Sequence, residues 1–321
     1  MKIAIAGYGA LGKAVETEVQ KRKDMTLVSV FTRREPSFIK TASAVNVFGF
    51  DEAAKHKDEI DVVINCMGSA TDLPVTTPFL SEYFNVVDSF DTHSKFEEHF
   101  MRTDRYAKKG QKLSLISCGW DPGLFSLARA YMRCVLPLGT DYTFWGEGVS
   151  RGHSNAVRNI EGVIDAVQYT VPIGSAVCSV RNGEFPNLSE EKMHKRVCYV
   201  VAEAGANTDR IKNEIKSMPA YFAPYETEVN FIDYESFLQE HKTEKHAGSV
   251  MRCFKDDDYS AFCEFSLKLS SNPLFTASVL LSYAAAVFDM NKSGKSGCIT
   301  VFDVSASQLI KSNGIFQKDI I

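Results

Sequence analysis

Two carboxylates stand where catalytic groups are usually carried. Asp91 lies in Asp88-Ser89-Phe90-Asp91-Thr92-His93, after the apolar run 85–88, and Asp121 lies in Ser117-Cys118-Gly119-Trp120-Asp121-Pro122-Gly123, after the run 113–118. In open α/β sheets the working residues sit just beyond the carboxyl ends of the strands. Two acids at neighbouring strand ends suit a cationic substrate group. A third segment of this kind, Cys66-Met67-Gly68-Ser69-Ala70-Thr71, follows the run 60–66, and its small side chains let backbone and hydroxyl groups approach a ligand. Taken alone, it equally fits a strand-end turn, and Asp121 equally fits a cap for a helix starting at Pro122.

The chain opens with a second kind of chemistry. The run 2–6 is followed by Gly7-Tyr8-Gly9-Ala10-Leu11-Gly12, a helix over 10–21 with Leu11, Val15 and Val19 at helical spacing, and a second strand over 26–31. In this βαβ setting Gly7 permits a tight turn, Gly9 lets the backbone approach a pyrophosphate, and Gly12 lets the helix pack on the strand. A glycine pattern without that setting is weak. Fingerprints for NAD place Asp or Glu after the second strand to bind the ribose hydroxyls, but here Thr32-Arg33-Arg34 follows it. Guanidinium groups bind a 2′-phosphate that a carboxylate would repel, so the cofactor is read as NADP.

Positioning these groups requires a sheet buried on both faces. The unalternating runs 60–66, 85–88 and 113–118 read as its strands, with helices over 77–83, 95–108 and 122–135 between them. From about residue 142 the strands lengthen and alternate, at 195–202, 226–232, 249–254 and 261–269, with a helix over 209–217. A long helix over 272–292 and an apolar strand over 299–304 follow. The expected architecture is α/β: a Rossmann-type doubly wound parallel sheet with a second α+β substrate-binding and dimerisation domain. The expected boundaries are 1–121 for the dinucleotide-binding domain, completed by part of 272–321, and 122–271 for the second domain.

The 321 residues are 45% hydrophobic and 24% charged, with a net charge of −4, and no basic block points to nucleic acid. The apolar stretch 275–290 is interrupted by Ser278, Ser282 and Asp289 and reads as a buried helix, so no membrane is expected. A strand starting at residue 3 leaves no room for a leader, which gives a cytoplasmic reading. The eight cysteines have no CxxC spacing and read as reduced core thiols, with no metal site. Within 142–156, YTFWGEGVSRGHSNA, Trp145 suits a pocket wall, or simply a core, while His153 reads as a hydrogen-bonding loop histidine with no catalytic role.

These motifs together resemble one family, the meso-diaminopimelate D-dehydrogenases. The resemblance runs through GYGALG, FTRR, CMGSATD, SFDTH, GWDPG, FWGEGVSRGHSNA, QYT, HKR, YETEVNFID and LKLSSNPLFTAS, in order along essentially the whole chain. It implies reversible NADP-dependent oxidative deamination of meso-2,6-diaminopimelate at its D centre. The products are ammonia and L-2-amino-6-oxopimelate, which cyclises to tetrahydrodipicolinate on the lysine and cell-wall pathway.

The resemblance also implies that residues 8–11, 32–34, 66–69, 89–91 and 118–122 touch NADP. It places Asp91, Asp121, Trp145, Arg151, Gly152, Thr170, Arg196, His246 and Asn272 in the substrate site, with a homodimer as the assembly. His241 is a second candidate for the role of His246. Without the family, Arg196 reads as a charge on a sheet surface, Thr170 as a strand former and Asn272 as a helix cap. The aspartates suit the reacting D-ammonium, and either is a candidate proton acceptor. Arg196, Thr170, His246 and Asn272 suit the distal carboxylate and its neighbours. Two other functions fit the residue reading: an NADP oxidoreductase for another amino acid or a 2-oxo acid, and a non-catalytic NADP(H)-sensing protein.

Overall fold

The computed structural model describes residues 1–219, 221–241 and 245–321. In chain order the strands are β1 (Lys2–Ala6), β2 (Thr26–Thr32), β3 (Asn46–Gly49), β4 (Val62–Asn65), β5 (Asn85–Asp88), β6 (Leu113–Leu115), β7 (Thr140–Trp145), β8 (Gly148–Val149), β9 (Val163–Pro172), β10 (His194–Ala202), β11 (Thr227–Phe231), β12 (His246–Lys255), β13 (Ser260–Leu269) and β14 (Gly297–Ile299). The helices are α1 (Ala10–Val19), α2 (Leu73–Ser81), α3 (Phe96–Gly110), α4 (Leu124–Val135), α5 (Arg151–Arg158), α6 (Gly174–Arg181), α7 (Glu190–Met193), α8 (Thr208–Ser217), α9 (Tyr234–Glu240), α10 (Asn272–Lys292) and α11 (Ala306–Ser312). Two compact units result: Met1–Leu127 with Pro273–Ile321, and Ala128–Asn272.

The first unit holds a seven-stranded sheet in the order β14-β6-β5-β4-β1-β2-β3. Every pairing in it is parallel. Alternation along β1 explains why its sequence shows no polar face. Ile3 and Ile5 pack with Val15, Val19, Leu280 and Val287 of α1 and α10, while Ala4 and Ala6 face Phe31, Leu80 and Phe84 on the other side. Strand order reverses between β1 and β4, and ligands of such sheets bind in the crevice at that switch point. Helix α10 is long and apolar enough to cross a membrane, with a mean hydropathy of 1.4, yet 61% of its apolar window is buried and it belongs to this core.

Several boundaries differ from those the sequence suggests. The run 113–118 is strand only to Leu115, because Ser117 turns the backbone into the left-handed region at φ 56°. The run 299–304 is strand only to Ile299: Thr300 and Asp303 form a reciprocal capping box that coils Val301–Asp303 into a 3₁₀ turn. Helix α2 begins at Leu73, with a proline tolerated in its first turn. Strand β3 shows no sequence signal, being four residues at the edge of the sheet.

The second unit has two sheets, β11-β10-β9-β8 and β13-β12-β7. All pairings are antiparallel except β10 with β11. Val157, Ala166, Val200, Ile211, Ile215 and Phe222 form one core, and Tyr142, Phe144, Val180 and Met251 another. All eight cysteines are free, but they are not all core thiols: Cys134 and Cys178 are exposed. Burial pushes the Cys198 thiol up to about 12, so it stays protonated near neutrality.

Candidate functional site

In the first unit the glycine loop has the shape of a phosphate cradle. Gly7 adopts φ +90°, and a Cβ there would stand 2.8 Å from the Met67 side chain. A Cβ on Gly12 would run into the Gly7 carbonyl and lie 3.3 Å from Ile5, so only glycine lets α1 start this close to β1. Gly9 is the N-cap of α1 and opens on space, with nothing within 4 Å of an added Cβ. An anion placed there would meet the amides of a helix N-terminus.

Tyr8 is pinned inside this loop. Its hydroxyl donates to Glu16, which also accepts from Ser43 N at 2.7 Å and Ser43 Oγ at 2.6 Å. Burial, then the Glu16 carboxylate, pushes the Tyr8 phenol up to about 12. Burial works against the charge on Glu16, but the Ser43 and Tyr8 hydrogen bonds outweigh it and leave that carboxyl below its usual pKa. Arg34 donates to the Tyr8 carbonyl at 2.8 Å, and Arg33 pairs with Asp72 at 2.5 Å. Both arginines line a cleft of about 400 Å³ that also includes Thr32, Pro36 and Gly49.

The acidic residues lie along the same edge. Asp91 N donates to Ser69 Oγ at 2.9 Å, and Ser69 Oγ donates back to Asp91 Oδ1 at 2.5 Å, so the loops after β4 and β5 are tied together. Asp91, Pro122 and Gly123 border a cavity of about 560 Å³ walled by Phe90, Phe96, Phe100 and Phe302. Helix α4 begins at Leu124, so Pro122 is not its first residue and Asp121 is not its cap. Gly119 and Trp120 instead bridge to Gly123, whose φ of +132° and close approach to Gly119 demand glycine.

The second unit gathers a different set. Thr170 and Arg196 face each other across β9 and β10, and Arg196 Nη1 donates to Thr170 Oγ1 at 2.6 Å. The guanidinium lies 3.9 Å from the centre of the Tyr225 ring. Only 9% of Arg196 is exposed, and its Nε has no partner among the described residues. It is therefore no sheet-surface charge. Burial depresses its pKa, outweighing the Tyr225 hydroxyl and the Glu190 carboxylate, which favour its charged form.

Trp145 ends β7, and its main-chain N–H donates to His194 Nε2 at 2.9 Å, with the two rings stacked 5.5 Å apart. His194 is consequently neutral, with Nδ1 turned to the Glu190 carbonyl at 3.2 Å, and burial holds its pKa down. Gly146 N donates to Ala247 O at 2.7 Å, and a Cβ on Gly148 would lie 3.5 Å from the His246 ring. Trp145, Thr170, Arg196 and His246 thus meet around Gly146–Gly148, where β7, β9, β10 and β12 converge. Arg151 and Gly152 open α5, with open space beside Gly152. Asn272 is the first residue of α10, not a cap before it.

His153 sits on α5, not in a loop, 2.5 Å from Ser150 Oγ. Burial, then the nearby Arg196 charge, lowers its pKa to about 4. His241 bonds the Tyr169 hydroxyl at 2.9 Å. Neighbouring residues on a strand point to opposite faces, so His241 lies on the side of β9 away from Thr170 and cannot replace His246 there. Sequence reasoning missed Asp72, His194 and Tyr225, the partners that orient Arg33, Trp145 and Arg196. His194 and Tyr225 stand in the HKR and YETEVNFID motifs, but only the fold brings His194, at the start of β10, and Tyr225, just ahead of β11, beside Trp145 and Arg196.

A parallel sheet with a glycine cradle, two arginines after β2 and acids at adjacent strand ends defines an NADP-dependent oxidoreductase. The family model of the diaminopimelic acid dehydrogenase C-terminal domain matches residues 119–271. The chain is 50% identical over 305 residues to a meso-diaminopimelate D-dehydrogenase of Ureibacillus thermosphaericus, covering 95% of this chain and 94% of that one. The Corynebacterium glutamicum DAP dehydrogenase in complex with DAP superposes with a TM-score of 0.86 at 41% identity, over 96% of this chain and 95% of that one. An engineered D-amino acid dehydrogenase bound to NADP+ superposes at 0.81 with 40% identity over the same shares. The chain belongs to the meso-diaminopimelate D-dehydrogenase family.

Proposed function

We infer that this chain catalyses the reversible NADP-dependent oxidative deamination of meso-2,6-diaminopimelate at its D centre, yielding L-2-amino-6-oxopimelate, its cyclic form tetrahydrodipicolinate, and ammonia. The observation that carries the substrate reading is Arg196: a buried guanidinium with an unpartnered Nε beside the Thr170 hydroxyl calls for a carboxylate. The family relationship supports the same reading.

The residues present fit NADP. Gly7, Gly9, Gly12 and the first turn of α1 would hold the pyrophosphate, Thr32, Arg33 and Arg34 the 2′-phosphate, and segments 66–69, 89–91 and 118–122 the ribose and nicotinamide. When bound, NADP+ supplies the acceptor for the hydride leaving the D carbon. The chain's own work is to hold and deprotonate the substrate. Asp91, steadied by Ser69, and Asp121 would bind the D-ammonium, and one of them would take its proton so that the amine lone pair can assist hydride departure. Water then adds to the imine carbon of the substrate, supplying the oxo oxygen as ammonia leaves. Arg196, Thr170, His246 and Asn272 would take the distal carboxylate and its neighbours, with Trp145, Arg151 and Gly152 alongside. Those distal contacts would select the meso isomer, because an L,L substrate satisfying them would present the wrong hydrogen. A homodimer in the cytoplasm completes the reading.

The test is NADP+ reduction with the meso, D,D and L,L isomers. Turnover is expected with meso and far less with L,L. No turnover with meso, in either direction, would sink the assignment.

A further inference from the structure

Beneath the loops that bear Asp91 and Asp121 lies a carboxylate that touches neither substrate nor cofactor in the reading above. Asp88 closes β5 and is fully buried at 0% exposure. Its Oδ1 accepts the N–H of Phe90 and the N–H of Ser117, each at 3.0 Å. Its Oδ2 accepts the Thr77 hydroxyl at 2.7 Å and lies 2.9 Å from His99 Nε2. Its main-chain carbonyl accepts Cys118 N at 2.9 Å.

One side chain therefore grips the start of both loops. Phe90 immediately precedes Asp91. Ser117 holds φ at 56°, a region where a β-carbon is strained, and it swings the chain out of β6 toward Asp121. Burying an ionised carboxylate is tolerable only when it is well hydrogen-bonded, and four donors meet Asp88. Charge-assisted bonds of this kind are roughly twice as strong as neutral ones, which suits them to holding a strained turn.

The network continues to the third loop. Asn65, at the end of β4, donates to Thr77 Oγ1 at 3.0 Å and Thr76 Oγ1 at 2.9 Å and accepts from Met67 N at 3.4 Å. His99 Nδ1 has no partner among the described residues, so in the neutral ring the proton belongs on Nε2, aimed at Asp88, and the ring packs 4.2 Å from that of Phe90.

We propose that Asp88 is a positioning residue that fixes the spacing between Asp91 and Asp121 through the amides of Phe90 and Ser117, with Thr77 and His99 locking its carboxylate. This rests on the reading of Asp91 and Asp121 as the groups that handle the D-ammonium. The deciding comparison is Asp88→Asn with and without Ser117→Gly, measured on the full enzyme by kcat, substrate KM, NADP+ affinity and melting temperature. Asp88→Asn keeps the shape but turns one acceptor into a donor facing Thr77 and His99. It is expected to lower kcat by roughly 10- to 100-fold, the cost of a misplacement of about 1 Å, while NADP+ affinity stays within about threefold.

Glycine adopts the left-handed turn without an anchor, so the double variant should regain a good part of kcat. A merely structural carboxylate would lower the melting temperature and leave kcat of the folded enzyme intact. That result, or a double variant no faster than Asp88→Asn, overturns the proposal. If Asp88→Asn does not fold, His99→Leu carries the test: loss of one donor should cut kcat by about 3- to 10-fold, whereas His99→Gln, which keeps a donor, should retain it. Full turnover in both Asp91→Asn and Asp121→Asn overturns the site reading itself, and the proposal with it.

Discussion

The acids of the first unit and the cation of the second are oriented by different means. Asp91 is tied through its own amide and carboxylate to Ser69, and the amides of Phe90 and Ser117 bond to buried Asp88, so main-chain groups set the loops. Arg196 is set instead by side chains, with the Tyr225 ring beneath it, the Thr170 hydroxyl at one nitrogen and another nitrogen left unpartnered. Backbone-anchored groups hold a reacting centre to a narrow geometry. A stacked guanidinium keeps its charge and direction while tolerating small shifts of its ligand. Substitutions of the acids in the first unit should therefore act mainly on kcat, and those around Arg196 in the second mainly on KM.

The largest effect expected is on Asp91→Asn and Asp121→Asn. At least one should lower kcat by roughly 10²- to 10⁴-fold, the range for loss of a positioned proton acceptor. Retained kcat in both, measured at saturating substrate, breaks the comparison at its first term. Arg196→Met should raise the KM for diaminopimelate by about 10- to 100-fold through lost charge-assisted bonds, with a much smaller change in kcat. An equal fall in kcat would show that the second unit also acts on the chemical step.

Arg34→Ala should weaken NADP+ binding by about tenfold in titration, and Arg33→Ala by less, because Arg33 already spends part of its interaction on Asp72. Weak NAD+ binding should not fall in either variant. Tyr225→Leu, which removes the ring under Arg196, should raise substrate KM by about 3- to 10-fold.

The smallest effect is on stability against pH. Burial depresses the pKa of His153, to about 4, and that of His194, so the unfolded chain binds more protons than the folded one once pH falls below about 6.5. Their neutral forms favour the fold fully above that value, and the advantage shrinks as pH drops toward the folded pKa. Melting temperatures at neutral pH and near pH 5 should show a steeper acid decline for the wild type than for His153→Gln. Equal slopes would remove His153 from this account.

How far the sequence could be read differed between the units. Gly7, Gly9 and Gly12, the arginine pair and the strand-end acids were all legible, because a parallel sheet buried on both faces writes itself as unbroken apolar runs and places function at their carboxyl ends. The ends of those runs were less legible. Local polar contacts, the Thr300–Asp303 capping box and the left-handed Ser117, stopped strands that hydrophobicity alone would extend. In the second unit, Trp145 was singled out by its glycine-rich setting, but Thr170, Arg196 and His246 were named only through family resemblance, since their residue types fit ordinary strand and surface positions equally well.

What the sequence determined by itself was the cofactor unit and its preference for a phosphorylated ribose, because those depend on local spacing: three glycines within one turn of chain, and two arginines directly after a strand. Tertiary structure alone decided the burial of Arg196 over Tyr225, the neutral His194 behind Trp145, and the joining of the loops after β5 and β6 by Asp88. The physical reason is distance along the chain. Each of these contacts joins groups from separate strands or loops, and which side chains meet there depends on strand register, which no single segment encodes.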